Sequence, residues 1–132
     1  MKNEPAKQLI SSGTVWEKAY GYSRAVRVGD SIFVAGTTAV DQQGSVVGLN
    51  DPYAQAVFIF KKIDRALREA DSSLSDVVRI RTFVTDISRW ELVAKAQGEV
   101  FATVRPAATL VQVSALVNPE LLVEIEVDAL RQ

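Results

Sequence analysis

Leu122-Val123-Glu124-Ile125-Glu126-Val127-Asp128-Ala129-Leu130 alternates apolar and acidic side chains along its length. Neighbouring side chains of a strand point to opposite faces of a sheet. Val123, Ile125, Val127 and Ala129 thus share one face, which reads as the side that packs on helices. Glu124, Glu126 and Asp128 share the other. Residues 77–85 repeat the pattern, with Val78, Ile80, Thr82 and Val84 set against Val77, Arg79, Arg81 and Phe83. A face that mixes Val77 and Phe83 with arginines and acids suits a subunit interface with paired ions. It suits plain surface equally, and the pattern alone leaves both open.

Working outward from these strands, helical periods bracket the second of them. Asp51 is a candidate N-cap and Pro52 fits the first helical position, where no amide donor is needed. Ala56, Phe60, Ile63, Leu67 and Ala70 follow at helical spacing. Lys61, Lys62, Asp64, Arg65, Arg68 and Glu69 cover the other side and read as a solvated face. A second helix is expected from Ser88, with Glu91 completing a capping box and Val93, Ala96 and Val100 buried. Pro106 keeps that helix from running on. Upstream, residues 22–28 and 31–35 read as a strand pair joined by Gly29-Asp30, with a third strand near Val46-Val47 after the turn at residues 41–44. Residues 109–113 form a strand before the last one, connected through Val117-Asn118-Pro119-Glu120. About six strands and two helices indicate a single α+β domain over residues 1–132, with both helices on one face of the sheet.

Composition limits the chemistry. The 132 residues hold no histidine and no cysteine. A Ser-His-Asp triad, a thiolate nucleophile and the commonest metal ligands are therefore out of reach of this chain. Chemistry falls to carboxylates, Arg, Lys, Tyr, hydroxyls, backbone amides or bound water. Fifteen basic residues stand against 16 acidic ones, for a net charge of −1. That balance supplies no pull towards nucleic acid or anionic membrane, and neither partner is expected. Met1-Lys2-Asn3-Glu4-Pro5 does not read as a signal peptide, and no apolar run approaches the ~20 residues of a membrane span. A cytoplasmic location is the default expectation.

The run Arg105-Pro106-Ala107-Ala108-Thr109-Leu110-Val111-Gln112-Val113, followed by Leu122-Val123-Glu124-Ile125-Glu126, resembles the signature of the RidA/YjgF family, also called endoribonuclease L-PSP. Tyr20-Gly21-Tyr22-Ser23 is similar to that family's Gly-Pro-Tyr segment. Residues 32–37 are similar to its apolar strand ending in Ser-Gly-Gln, and residues 77–86 to its strand ending in Asp. The likeness spans about residues 20–131, leaving 1–19 as an N-terminal segment. It implies a chorismate-mutase-like fold with a six-stranded mixed sheet. It also implies a homotrimer whose sheets form a central barrel, with small-molecule clefts between subunits. Active members hydrolyse enamines or imines of amino acids without metal or cofactor. A glutamate positions water, a tyrosine lines the pocket, and an arginine grips the substrate carboxylate.

Carried over by position, Glu124 falls on the glutamate, Tyr22 on the tyrosine and Gly36 on the glycine, with Ala35 and Thr37 in place of the glycine's neighbours. The arginine after Pro-Ala is Ala108 here, and Arg105 lies before the proline, three residues away. Losing a bidentate carboxylate contact costs about 2–5 kcal/mol in binding. Arg24, two residues after Tyr22, is the candidate substitute, and a solvated strand arginine is its plainer reading. The resemblance therefore implies a deaminase or hydrolase of altered preference, with weak or absent activity on standard 2-imino acids. A non-catalytic metabolite-binding trimer is the alternative. Endoribonuclease activity ranks last, since no basic and aromatic RNA platform is visible.

Overall fold

The computed structural model describes residues 6–132. The reading of Met1–Pro5 lies outside the described residues. Six strands form one sheet: β1 (Gln8–Ile10), β2 (Ala25–Val28), β3 (Ser31–Thr37), β4 (Val77–Val84), β5 (Ala107–Gln112) and β6 (Val123–Leu130). Their order across the sheet is β1-β2-β3-β6-β4-β5. Only β4 and β5 run parallel, while the other neighbours are antiparallel, so the sheet is mixed. Among the described residues three α-helices accompany it: α1 (Val15–Tyr20), α2 (Pro52–Glu69) and α3 (Trp90–Phe101).

Helix α2 forms as its caps and stripe require. The Asp51 carboxylate accepts the Ala54 N–H at 3.0 Å, and Pro52 opens the first turn. Ala56, Phe60, Ile63, Leu67 and Ala70 are all buried, as is Ile59. Phe60 meets Phe101 of α3 edge-on, with ring centroids 5.5 Å apart. These side chains share one core with Val123, Ile125, Val127 and Ala129 of β6, which are essentially inaccessible. Helices α2 and α3 thus cover one face of the sheet, and burying each large side chain contributes about 1.5–3 kcal/mol.

Several local expectations are corrected. The sixth strand is β1 on the sheet edge, not Val46-Val47, where the backbone makes only an isolated bridge between Val40 and Val46. Three residues are too short to show a period, so β1 is set by its pairing with β2. Strand β2 begins at Ala25 rather than Tyr22, and β3 runs on to Thr37 through a bulge between Val34 and Thr37. Helix α1 has no apolar stripe towards the core: its only buried residue is Glu17, and Val15, Trp16 and Tyr20 are exposed. Ser88 does not cap α3. Asp86 takes both the Ser88 N–H and its hydroxyl, at 3.0 and 2.6 Å, and opens a 3-10 turn over Ile87–Arg89 before α3 starts at Trp90. Helix α3 ends at Phe101, ahead of Pro106, and Arg105 adopts the left-handed conformation with φ 52°.

A bulge also changes the face pattern of β4. Its register with β6 shifts between Val77 and Arg79. Val77 is thereby turned into the core and Val78 outward, at 3% and 46% exposure. The face opposite the helices carries Arg79, Arg81, Phe83, Glu124, Glu126 and Asp128, without Val77.

Candidate functional site

The register across β4 and β6 separates the three acids of the helix-free face. Arg81 lies opposite Glu126, and its guanidinium reaches Glu126 at 3.3 Å and Asp128 at 3.6 Å. Opposite Glu124 stands Phe83, which offers no charge. Among the described residues no cation comes within ion-pair distance of the Glu124 carboxylate. This side chain is half-buried, and burial holds its carboxyl above the usual carboxylate range. The Arg24 charge opposes that shift in part, while Glu126 adds to it.

Gly36 makes room for this carboxyl. A Cβ built at Gly36 would stand 2.0 Å from Glu124 Oε2 and 3.0 Å from Glu124 Cδ. The bulge of β3 brings the Gly36 backbone up to the acid, and only hydrogen on Cα leaves space for it.

Arg24 precedes β2, where its N–H donates to the Ile10 carbonyl. It is partly buried rather than solvated. Arg24 Nη1 donates to the Gly36 carbonyl at 3.1 Å and to the Thr37 hydroxyl at 3.3 Å. Its Cζ lies 5.8 Å from the centre of the Tyr22 ring, which is 42% exposed. Tyr22 lines a hollow of about 540 Å³ with Leu9, Phe33, Glu126 and Asp128. Thr37 is fully buried on the helix side, opposite Ile125, and its hydroxyl donates to the Ala35 carbonyl at 2.8 Å.

Ala108 does not join this group within one chain. It sits on β5 beside Ile80 of β4 and is exposed. Strand β4 lies between β5 and β6, and the residue in register with Glu124 through Phe83 is Val111. Gly36 is thus brought against Glu124, and Arg24 joins Gly36 to the Tyr22 ring, whereas the hollow that Tyr22 lines holds Glu126 and Asp128 rather than Glu124, and Ala108 stands apart.

Two polar groups, Lys62 partly buried and Glu17 buried, escaped the sequence reading. Lys62 belongs to the charge set read as a solvated face of α2, and that reading is corrected here. Its ammonium donates to the Thr38 and Val40 carbonyls at 2.7 and 3.0 Å. Burial, and then the nearby Arg24 charge, lower its pKa to about 8. Glu17 is 5% exposed and accepts from the Ser11 and Thr14 hydroxyls at 3.0 and 3.1 Å, and from the Ser12 hydroxyl and N–H. Burial disfavours its charge, but hydrogen bonds from Ser12, Ser11 and Thr14 outweigh that and hold the carboxyl below its usual range. Neither residue stood out in sequence, because a lysine among lysines and a lone acid in a short polar segment carry no period.

Residues 15–131 match the family described as endoribonuclease L-PSP. The chain belongs to this family, the RidA/YjgF family. A RutC family protein of Pyrococcus abyssi is 30% identical, over 96% of this chain and 99% of that protein. An uncharacterized protein of Streptomyces coelicolor is 35% identical, over 96% and 93% of the two chains. Among solved structures, Rv2704 of Mycobacterium tuberculosis, described as a member of the YjgF/YER057c/UK114 family, is 44% identical. It superposes with a TM-score of 0.86 over 95% of this chain and 99% of its own. The RidA/YjgF match begins at residue 15 and so takes in α1, earlier than the motifs around Tyr22 suggest. No helix of the described residues is long and apolar enough to cross a membrane.

Proposed function

We propose that this RidA/YjgF protein works as a homotrimer with small-molecule clefts between subunits, and that Glu124 is the polar centre of each cleft. The observation that carries the reading is the isolation of Glu124. It is half-buried, unpaired by Arg81, held above its ordinary pKa, and accommodated by a glycine whose Cβ would displace it. A carboxyl of this kind can orient a water molecule over an imine carbon and exchange a proton with it. Tyr22 supplies an aromatic wall. Ala108 stands too far along the sheet to meet Glu124 of its own chain, so the two would face one cleft only across two copies.

The substrate class is an enamine or imine metabolite, hydrolysed to a carbonyl compound and ammonia. With Ala108 in the arginine position, carboxylate-bearing imines lose their bidentate grip, and neutral or more apolar imines are favoured. Arg24 is the remaining cation near Glu124, with Nη1 already engaged by Gly36 and Thr37. No metal or organic cofactor enters the scheme. The missing arginine also favours a second reading, in which the cleft binds a metabolite without turning it over. RNA hydrolysis is the weakest reading, since the chain has no histidine to act as base and a net charge of −1.

Ammonia release measured across a panel of imines, charged and uncharged, separates these readings. The expected result is turnover of an uncharged imine and little or none of 2-iminopropionate. A rate on 2-iminopropionate equal to that of an arginine-bearing relative would overturn the role given to Ala108. Binding without ammonia release from any imine would select the non-catalytic reading.

A further inference from the structure

A second cleft, of about 820 Å³, lies along α2 and shares no lining residue with the hollow that Tyr22 lines. Its walls are the loop Ser11–Thr14, the loop Val40–Gln43 and the α2 side chains Phe58, Lys61, Lys62 and Arg65, with Arg24 reaching in from the residue before β2. Clefts of 300–1,000 Å³ are the size range of small-molecule sites.

The charges in this cleft are unbalanced. Four cations line it, Arg24, Lys61, Lys62 and Arg65, against the two acids Asp41 and Glu69. Asp41 Oδ1 is taken by the backbone N–H groups of Gln43 and Ser45, both at 2.9 Å. The nearby Glu17 is occupied by Ser11, Ser12 and Thr14. The two innermost cations hold neutral acceptors only. Lys62 donates to two carbonyls, and Arg24 Nη1 to a carbonyl and a hydroxyl. Arg24 Nε is buried without an acceptor, and Nη2 makes no hydrogen bond among the described residues. Arg24 and Lys62 are both partly buried, and charges withdrawn from water are ordinarily paired, because an unpaired one loses hydration without compensation. Here two like charges lie close enough for Arg24 to make Lys62 easier to deprotonate.

We propose that this cleft binds the oxyanion group of a small metabolite, a carboxylate or a phosphate ester, with the anion seated between Arg24 and Lys62. Lys61 and Arg65 extend the positive lining, and Phe58 gives the organic part of the ligand an apolar contact. The site is separate from the Glu124 cleft and shares only Arg24 with it, so Lys62 and Arg65 test it without touching the Glu124 reading.

A bound anion adds an opposite charge beside Lys62 and raises its pKa from about 8, so binding near that pH takes up a proton. Asp41 and Glu17 act on Lys62 in the same direction as the ligand, and Arg24 against it. Calorimetric titration of the protein near pH 8, at low salt, uses inorganic phosphate and succinate as probes. The expected result is saturable binding of at least one probe, with proton uptake revealed by buffers of different ionisation enthalpy. Preference between the probes identifies phosphate or carboxylate as the natural head group. Lys62→Met should abolish the proton uptake, and Arg65→Gln, which removes one cation from the lining, should weaken binding several-fold at low salt. Arg65→Gln leaves the carbonyl contacts of Lys62 intact, so it remains informative if Lys62→Met fails to fold. Absence of saturable binding for both probes would overturn the proposal, as would binding indifferent to Arg65→Gln or binding without proton uptake.

Discussion

Glu124 and Glu126 are two residues apart on one face of β6 and differ in what stands across from them. Arg81 faces Glu126 and Phe83 faces Glu124. Glu124→Gln is expected to leave the fold intact and to abolish turnover or shift ligand affinity, with Glu126→Gln less sensitive. Equal functional loss at both positions would count against a dedicated role for Glu124. The pH dependence has a definite sign. Burial raises the folded pKa of Glu124 above its unfolded value near 4.5, so wild type loses stability as pH rises through the folded value. Glu124→Gln lacks that loss and should gain on wild type as pH rises from about 4.5 through the folded value, as denaturant melts on either side would show. Gly36→Ala tests the same acid from the other side. The new Cβ meets the mobile end of Glu124, so the protein should fold while the carboxyl is displaced and activity falls. Ala108→Arg is expected to raise the rate on 2-iminopropionate, against an overpacking cost of about 1–3 kcal/mol if the cleft has closed around the smaller side chain. Motif position made Glu124, Gly36 and Tyr22 visible in the sequence. The pairing that isolates Glu124 was not visible, because it depends on register with a distant strand.

At the scale of elements, α2 does more than bury a stripe. Gln55 is fully buried, and its amide donates to the Gly48 and Glu120 carbonyls at 3.2 and 3.0 Å and accepts the Leu122 N–H at 2.8 Å. It holds the start of β6, and so Glu124, to the first turn of the helix. Gln55→Leu keeps the volume but strands three backbone groups, and should cost about 1–3 kcal/mol in chemical denaturation. A change within a few tenths would mean that water replaces the amide. The N-terminal loop depends on Glu17 in a comparable way. Its folded pKa is depressed, so its contribution is present above the unfolded value near 4.5 and is lost as pH falls through the folded one. Glu17→Gln should therefore flatten the acid limb of the stability curve and loosen residues 11–14 in hydrogen exchange. The α2 cap and stripe were legible because helical period and capping chemistry are local. Strand β1, helix α1 and the buried side of Lys62 were not, since each is defined by what packs against it.

For the molecule as a whole, the face opposite the helices has half-exposed Phe33 and Val111 beside ion-paired Arg81. Such a face, bare in one copy, suits association. Sedimentation should give a species of three times 14.4 kDa, and a stable monomer of 14.4 kDa would sink the shared-cleft reading with it. Disrupting assembly by Phe33→Glu should remove activity without melting the helix-side core, because Phe33 lies outside that core.

The alternation of residues 122–130 and the helical period of 56–70 were enough to settle an α+β domain with one helix-covered sheet face, because burial imposes those periods directly on the chain. The motifs around residues 105–126 were enough for the family. Strand order and register needed the folded chain, since hydrogen-bonded neighbours such as β3 and β6 are far apart in sequence and nothing local encodes their partner. The bulges needed it too: one inserted residue moved Val77 into the core, and another brought Gly36 against Glu124. The cationic cleft also appears only in three dimensions, where Arg24 from the entry to β2 and Lys62 from α2 are held together by the carbonyls and hydroxyl of residues 36–40.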